Sequence, residues 1–249
     1  MTAGEMVVDV SQDWLQACSV QERFMRAPVG RPCRVDYAAS CRQMHALGGD
    51  WYQFSCLPDG RLAMLVGDAS GKGVAAALMM ASVQASLRMA AVFTGDDLPA
   101  LLRVVNAQAC ASSPTNRYAT LFYSVLDPAE RTLRYVNAGH NPAAVLRHDG
   151  SVDWLEPSGP PVGLFPEATW TEREIRLEPG DRVLAYTDGI TEAADPSGEE
   201  WGVTGLLQAA ACHGIESADA SVEAIFGAMN EFSAGIQTDD ATVTTLLVS

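Results

Sequence analysis

The sequence predicts an α+β fold in which antiparallel strands form layered sheets and helices enter in pairs between groups of strands. Short apolar runs separated by turn residues come in consecutive groups, which is typical of antiparallel meanders. The helical segments do not alternate one for one with strands, as a doubly wound parallel sheet would require. The 249 residues are 48% apolar and 19% charged, so the chain can bury a substantial core.

The predicted elements follow one another in blocks. A leading helix covers about residues 5–26, and the Pro/Gly-rich breaker at 27–32 separates an N-terminal helix and linker, 1–30, from a compact domain, 31–249. Strands are predicted at 35–40, 51–57, 61–66, 118–126, 132–137, 143–147, about 171–177, 182–186 and 241–248. Helices are predicted at 73–93, 98–111, about 203–213 and 218–229, the first of them buried on most sides.

Composition argues against several classes of function. The 16 basic and 31 acidic residues give a formal net charge of −15, which leaves no basic face for nucleic acid. The N-terminus has no signal-peptide pattern, and no window reaches the roughly 18 uncharged apolar residues of a membrane span. The six cysteines form no CxxC pair and no regular framework, so we expect free thiols in a cytoplasmic protein rather than disulfides or a zinc site.

Four aspartates stand at the ends of predicted strands. The turn Pro-Asp-Gly at 58–60 pairs residue 57 with residue 61, and the same register places Asp50 opposite Asp68. Asp188 follows the apolar run 183–186, and Asp239 precedes the last strand. In an antiparallel sheet these four positions can share one rim. Like charges that face each other destabilise a sheet unless a cation neutralises them.

This acidic rim is chemically suited to a pair of divalent cations. An oxygen-only set of ligands favours Mg²⁺ or Mn²⁺, because no cluster of histidine or cysteine favours zinc. A water that bridges two such ions is acidified and can attack a phosphate ester. The alternative is that Asp and Gly merely mark turns at strand ends, as they often do.

The segment Gly-Lys-Gly at 71–73 lies between a strand and a helix but is not a Walker motif. Only three residues separate Gly67 from the Gly-Lys pair, and no serine or threonine follows the lysine. Because a helix N-terminus favours anions, Lys72 is a candidate for contact with a substrate phosphate. A solvated lysine, or one that balances the charge of the acidic rim, is the alternative.

Five motifs carry a resemblance to a known family. They are Gly-Gly-Asp-Trp-Tyr (48–52), Gly-Asp-Ala-Ser-Gly-Lys-Gly-Val-Ala-Ala (67–76), Tyr-Val-Asn-Ala-Gly-His-Asn-Pro (135–142), Tyr-Thr-Asp-Gly-Ile-Thr-Glu (186–192) and Asp-Asp-Ala-Thr (239–242). In this order they resemble the SpoIIE/RsbU-type branch of the metal-dependent serine/threonine phosphatases related to protein phosphatase 2C. The resemblance covers about residues 30–249, so it implies that the compact domain is the catalytic domain.

The resemblance implies a four-layer α-β-β-α sandwich of two central, mostly antiparallel sheets, with a two-metal site at one end. It also implies hydrolysis of phosphoserine or phosphothreonine on a protein, typically an anti-sigma-factor antagonist. Carried over position by position, it implies that four aspartates form the catalytic set and that the metal ligands are Asp50, Asp68, the backbone carbonyl of Ala69, Asp188 and Asp239. Asp240 is the neighbour less suited to touch a metal.

Two positions depart from the pattern of the family. Gln53 stands where the family commonly has a second acid in the first motif, which weakens the case for a third metal. Ser70 stands where the eukaryotic relatives have a histidine general acid. His140 is a candidate for a catalytic or phosphate contact, although Gly-His-Asn-Pro first indicates a turn.

Two other functions remain open from the sequence. One is a catalytically silent binding module that keeps the phosphatase fold and recognises a partner. The other is a metal-dependent phosphatase for small molecules. The sequence also leaves open whether the chain forms a homodimer.

Overall fold

The computed structural model describes residues 10–25, 33, 35–113, 116–211 and 217–248. The helices are α1 (Val10–Phe24), α2 (Gly73–Thr94), α3 (Leu98–Ser112), α4 (Asp188–Thr191), α5 (Gly202–Ala210) and α6 (Ala218–Phe232). The strands are β1 (Asp36–Arg42), β2 (Asp50–Cys56), β3 (Leu62–Ala69), β4 (Ala119–Asp127), β5 (Thr132–Ala138), β6 (Ala143–Leu146), β7 (Val152–Leu155), β8 (Arg173–Arg176), β9 (Arg182–Tyr186) and β10 (Ala241–Leu247).

The strands form two five-stranded sheets, with the orders β1-β10-β9-β6-β7 and β2-β3-β4-β5-β8, and the neighbouring strands are antiparallel. Three apolar clusters separate four layers. One cluster lies between the β2–β3–β4 sheet and helices α2 and α3, one lies between the two sheets, and one joins the β1–β10–β9 sheet to α5 and α6. The predicted α-β-β-α sandwich is therefore confirmed.

The β2–β3 hairpin has the register that the sequence predicts. The Leu57 N–H donates to the carbonyl of Arg61 over 2.8 Å, and Gly60 in the turn adopts a φ of 90°, which glycine reaches without strain. The pairing then runs along the strands to Asp50 opposite Asp68. Because side chains alternate along a strand, both aspartates share the face of Phe54, which is buried between the two sheets.

Helix α1 packs on the sandwich, within the predicted range of 5–26, whose ends lie outside the described residues. The Gln21 side chain donates to the Gly48 carbonyl over 2.7 Å, and Gln84 on α2 donates to the Phe24 carbonyl over 2.8 Å. Phe24 also packs against the apolar cluster under α2. These contacts connect α1 to the loop that precedes Asp50. The division of the chain at residues 30 and 31 stays a prediction.

Helix α2 is less buried than the sequence predicts. Its inner face packs on the β2–β3–β4 sheet, but Leu78 and Phe93 on its outer face are 67% and 78% exposed. By length and composition alone, α2 could cross a membrane, with a mean hydropathy of 1.4 over its most apolar window, of which 39% is buried. Arg88 interrupts the uncharged sequence of the helix, so α2 contains no run of 18 uncharged residues, and buried core helices pass the same test of length and composition.

Two cysteines depart from the expectation of free thiols. Cys33 and Cys56 form a disulfide, with their Cα atoms 5.8 Å apart. They are 23 residues apart in the sequence, and both join the apolar cluster between the sheets. The three other cysteines in the described part of the chain are free, namely Cys18, Cys41 and Cys110. Sequence spacing gave no sign of this pair, because the contact forms only when β1 and β2 are brought together across the two sheets.

Candidate metal centre

The predicted aspartates lie at one end of the sandwich, where the two sheets meet. Asp50 is the first residue of β2, Asp68 is the residue before the end of β3, Asp188 begins α4 two residues after β9 ends, and Asp239 lies just before β10. Burial, and then the charges of Asp188 and Asp239, raise the pKa of Asp68. The structure therefore brings together carboxylates from distant parts of the chain.

Asp50 is the most deeply buried member of this group, at 1% exposure. Its Oδ2 accepts hydrogen bonds from the Thr187 hydroxyl at 2.6 Å and from the Thr242 hydroxyl at 2.8 Å, so a residue of one sheet is held by two residues of the other. Burial, and then the charge of Asp68, raise the pKa of Asp50 well above its ordinary value, while the two hydroxyls oppose the shift. The hydroxyls thus fix the carboxylate in one orientation.

Negative charge is crowded around Asp68. Burial, and then the charges of Asp188, Asp239 and Asp240, raise its pKa to about 7, while Lys72 acts in the opposite direction. The pKa of Asp188 is also raised, by burial and by Asp239. A cluster of this kind is electrostatically unfavourable unless protons or cations neutralise it.

Asp239 forms an ion pair with Lys72. The Lys72 Nζ lies 2.8 Å from the Asp239 Oδ2 and donates to the carbonyl of Thr238 over 3.1 Å. Both side chains are partly exposed, 51% for the lysine and 37% for the aspartate. Lys72 therefore balances charge at the acidic rim, which is the alternative to contact with a substrate phosphate.

Asp240 supports the centre through the backbone. Its Oδ1 accepts from the Met44 N–H at 2.7 Å and its Oδ2 accepts from the Gly49 N–H at 2.8 Å, so both oxygens are engaged. A Cβ on Gly189 would lie 1.9 Å from the Asp240 carbonyl oxygen, so the backbones beside Asp188 approach too closely for any side chain. Asp240 thus holds the loop before β2 through both of its carboxylate oxygens.

The loop after β3 is anchored to the start of β4 by residues that the sequence analysis missed. The Ser70 N–H donates to the Tyr118 carbonyl over 2.9 Å, and the Ser70 hydroxyl accepts from the Tyr118 N–H at 3.0 Å. Arg117 Nη1 donates to the Ser70 carbonyl over 2.7 Å. These contacts fix the backbone beside Ala69, whose carbonyl is a predicted ligand. Thr187 and Thr242 were missed as well, although each lies within three residues of a predicted aspartate.

His140 does not reach the surface of the site. It is 3% exposed, and its Nδ1 lies 2.8 Å from the Thr120 hydroxyl. Burial lowers the pKa of His140 to about 4, a shift that the backbone at Tyr186 opposes. Thr120 is the cross-strand partner of Asp68. This position between the sheets argues against the predicted contact with a substrate phosphate.

Gln53 also points away from the acidic group. Its amide donates to the Ser55 hydroxyl over 2.8 Å, and its Oε1 accepts from Gln84 at 3.1 Å and from Arg88 at 3.0 Å, both on α2. Gln53 lies three positions beyond Asp50, so the two side chains point to opposite faces of the sheet. An acid at position 53 in this conformation would not join the centre.

The donor set fits hard divalent cations. The predicted ligands are carboxylate and carbonyl oxygens, the donors that Mg²⁺ and Mn²⁺ prefer. Across the described ranges, no three Asp, Glu, His or Cys side chains are already arranged around a single point. After burial, the charges of Asp188 and Asp239 raise the pKa of Asp68, so these carboxylates interact. The Asp239 carboxylate, however, contacts Lys72 rather than a point that it shares with the other aspartates.

The amino-acid sequence of the chain matches a known protein family and proteins that resemble it. The sequence profile of the family described as Stage II sporulation protein E (SpoIIE) matches residues 58–248. Protein IcfG of Synechocystis sp. is 31% identical over 220 residues, which are 76% of this chain and 34% of that protein. Phosphoserine phosphatase RsbU of Bacillus subtilis is 26% identical over 186 residues, which are 73% of this chain and 54% of that protein. The chain thus spans about half or less of these relatives.

Solved structures share the fold. The SiaA-PP2C domain of Pseudomonas aeruginosa has a TM-score of 0.83 at 19% identity, and the match covers 96% of this chain and 97% of that one. The catalytic domain of the serine/threonine phosphatase PstP, solved with two manganese ions, has a TM-score of 0.62 at 19% identity, and the match covers 86% of this chain and 97% of that one. At these identities the structures support the architecture alone.

Proposed function

Because the chain belongs to the SpoIIE family, we propose that it is a metal-dependent protein phosphatase that hydrolyses phosphoserine or phosphothreonine. The proposed substrate is a phosphorylated protein of the anti-sigma-factor antagonist type. The curated relative RsbU, which is named a phosphoserine phosphatase, supports this class of reaction.

The observation that carries the proposal is the convergence of like charges at the end of the sandwich. Asp50 and Asp68 face each other across a hairpin, and Asp188 and Asp239 act on Asp68 from the other sheet. Folding four carboxylates into one small region costs free energy, and a protein that evolves under selection for stability alone would not keep such a cluster. Binding of cations would neutralise the clustered carboxylates and would explain why the cluster is kept.

The proposed ligands of two divalent cations, Mn²⁺ or Mg²⁺, are the four aspartates and the Ala69 carbonyl. PstP, solved with two manganese ions, has the same fold and supports a two-ion centre. When bound, such cations stabilise negative charge and make water a nucleophile at neutral pH. The hydroxyls of Thr187 and Thr242 hold Asp50 in orientation, and the contact of Arg117 with Ser70 holds the loop that carries Ala69.

Direct attack by water, without a covalent enzyme intermediate, agrees with the surroundings of the nearby nucleophiles. Burial raises the pKa of the Cys41 thiol far above its ordinary value, so this group stays protonated. The Ser70 hydroxyl accepts a hydrogen bond from the Tyr118 N–H, and in the described part of the chain it has no basic side chain as a hydrogen-bond partner. Neither group is activated for nucleophilic catalysis.

The test is Mn²⁺-dependent hydrolysis of p-nitrophenyl phosphate and of a phosphoserine protein by the wild type and Asp188→Asn. We expect both activities in the wild type and a loss of at least about a hundredfold in kcat in the variant, since even residues behind metal ligands commonly matter tenfold to a hundredfold. Asp153→Asn is the matched control. Asp153 lies on edge strand β7, its carboxylate is half exposed, and it is paired with Arg147.

Each alternative function gives a different result. Activity on the small ester alone would favour a phosphatase for small molecules. Activity on neither substrate, in folded protein with saturating Mn²⁺, would favour a silent binding module and would refute the proposal. An Asp188→Asn variant as active as the control would show that the acidic cluster is not the reacting centre.

A further inference from the structure

Lys72 is the only lysine in the chain, beside 15 arginines. It occupies the N-cap position of α2, between the loop that follows β3 and the helix itself. Its Nζ contacts Asp239, one of the four aspartates of the candidate centre. The compact ammonium of the chain's single lysine therefore lies at the acidic rim.

The ion pair between Lys72 and Asp239 is formed at the surface and can open. An exposed pair of this kind contributes little to stability, about 0–1 kcal/mol, because water and salt compete with it. The ammonium also acts on Asp68 and Asp188, favouring their charged forms. One cation thus neutralises part of the negative charge of several carboxylates at once.

We propose that the Lys72 ammonium competes with a divalent cation for Asp239 and thereby sets the affinity of the centre for metal. The inference rests on the proposed metal-dependent function. The Asp239 Oδ2 bonded to Lys72 is an oxygen that a metal would use, and the positive charge of the lysine repels an incoming cation. Metal binding therefore requires the ammonium to leave Asp239.

Two effects make the competition measurable. Removing the lysine frees Asp239 and also removes one positive charge that lies close to a doubly charged ion. With the dielectric screening of a protein surface, that repulsion alone corresponds to about tenfold to a hundredfold in affinity. Arginine in place of lysine keeps the charge and can bind a carboxylate through two nitrogens, so it competes at least as strongly.

The first experiment measures the Kd for Mn²⁺ by calorimetry in the wild type, Lys72→Met and Lys72→Arg. We expect Lys72→Met to bind Mn²⁺ at least about tenfold more tightly than the wild type, and Lys72→Arg to bind it equally or more weakly. Circular dichroism confirms that each variant is folded. Since Lys72 is half exposed, neither change opens a cavity.

An unchanged or weaker affinity in Lys72→Met overturns the inference. If in addition its KM for a phosphoprotein rises, Lys72 contacts the substrate phosphate instead. Absence of Mn²⁺ binding in both the wild type and Lys72→Met is a different result, because it would refute the metal centre and with it the proposed function. Binding only in Lys72→Met supports the competition in its strongest form.

The second experiment uses the unmutated chain. Reductive methylation with carbon-13 formaldehyde labels Lys72 and the terminal amine, and it keeps the positive charge of the lysine. We expect Mg²⁺ to shift the Lys72 methyl signal, assigned by its absence in Lys72→Arg, with the same Kd as a calorimetric titration of the methylated protein with Mg²⁺. A Lys72 signal that stays fixed while Mg²⁺ binds would overturn the inference, because the ammonium would then have remained on Asp239.

Discussion

Asp68→Asn is expected to stabilise the protein at pH 8 in the absence of metal. The pKa of Asp68 is about 7 in the folded protein, against an ordinary value of 3.8. An acid whose pKa is raised by folding binds its proton more tightly in the folded state. The contribution of protonated Asp68 to the free energy of unfolding is therefore fully present below about pH 4 and falls as the pH rises toward 7.

The size of the effect follows from the same two pKa values. Between pH 5 and pH 8, ionisation of Asp68 removes about 2–3 kcal/mol from the free energy of unfolding, a loss that asparagine does not suffer. For a domain of this size such a difference corresponds to about 5–10 °C in Tm. Comparing the variant with the wild type at both pH values removes the contribution that does not depend on pH.

The assay is urea unfolding and thermal melting in EDTA at pH 5 and pH 8, repeated at pH 8 with Mn²⁺. The gain of Asp68→Asn over the wild type should be larger at pH 8 by the stated amount, and Mn²⁺ should stabilise the wild type far more than the variant. Asp153→Asn is the control for loss of a surface carboxylate. A gain that is equal at both pH values would refute the reasoning, because crowding of charge would then not be the cause.

Two further changes test the backbone and the hydroxyls around the centre. Gly189→Ala should lower the free energy of unfolding in urea by several kcal/mol, since a Cβ there would lie 1.9 Å from the main-chain oxygen of Asp240. Its control is Gly227→Ala on α6, where a Cβ meets no other atom, and which should stabilise the protein by about 0.5–1 kcal/mol. Thr242→Val removes a donor to buried Asp50 and should cost about 1–3 kcal/mol at pH 8 and weaken Mn²⁺ binding. Thr245→Val is its control on the same strand, because that hydroxyl is buried without a hydrogen-bond partner among the described residues; an equal cost in both threonine variants would contradict this account.

The sequence was sufficient where structure depends on neighbours along the chain. The facing of Asp50 and Asp68 follows from a three-residue turn and the two-residue period of strands, so counting residues predicted it correctly. Strand β9, Arg182–Tyr186, was predicted to the residue, because an apolar run lies between a Pro-Gly turn and an Asp-Gly step. Short strand β7 and the single turn α4 were missed, since neither has a periodic pattern long enough to recognise.

What the sequence could not supply is the packing of one sheet on the other. The hydroxyls that hold Asp50 come from β10 and from the residue after β9, and nothing local to residues 187 or 242 marks them as partners of residue 50. The disulfide between Cys33 and Cys56 and the contact of Arg117 with Ser70 arise in the same way. These contacts depend on the three-dimensional arrangement of elements, which a pattern along the chain does not encode.

The electrostatics of the centre connect its stability with its proposed activity. The charges that raise the pKa of Asp68 are those that would attract a divalent ion, so each carboxylate lowers the stability of the metal-free protein and increases the affinity for metal. Lys72 acts in the opposite sense on both quantities, because it neutralises the cluster and repels the ion. It follows that Asp68→Asn and Lys72→Met should have opposite effects on the affinity for metal, and that only Asp68→Asn should raise the stability of the metal-free protein. The first variant should be more stable and bind less Mn²⁺, while the second should be no more stable and bind Mn²⁺ more tightly.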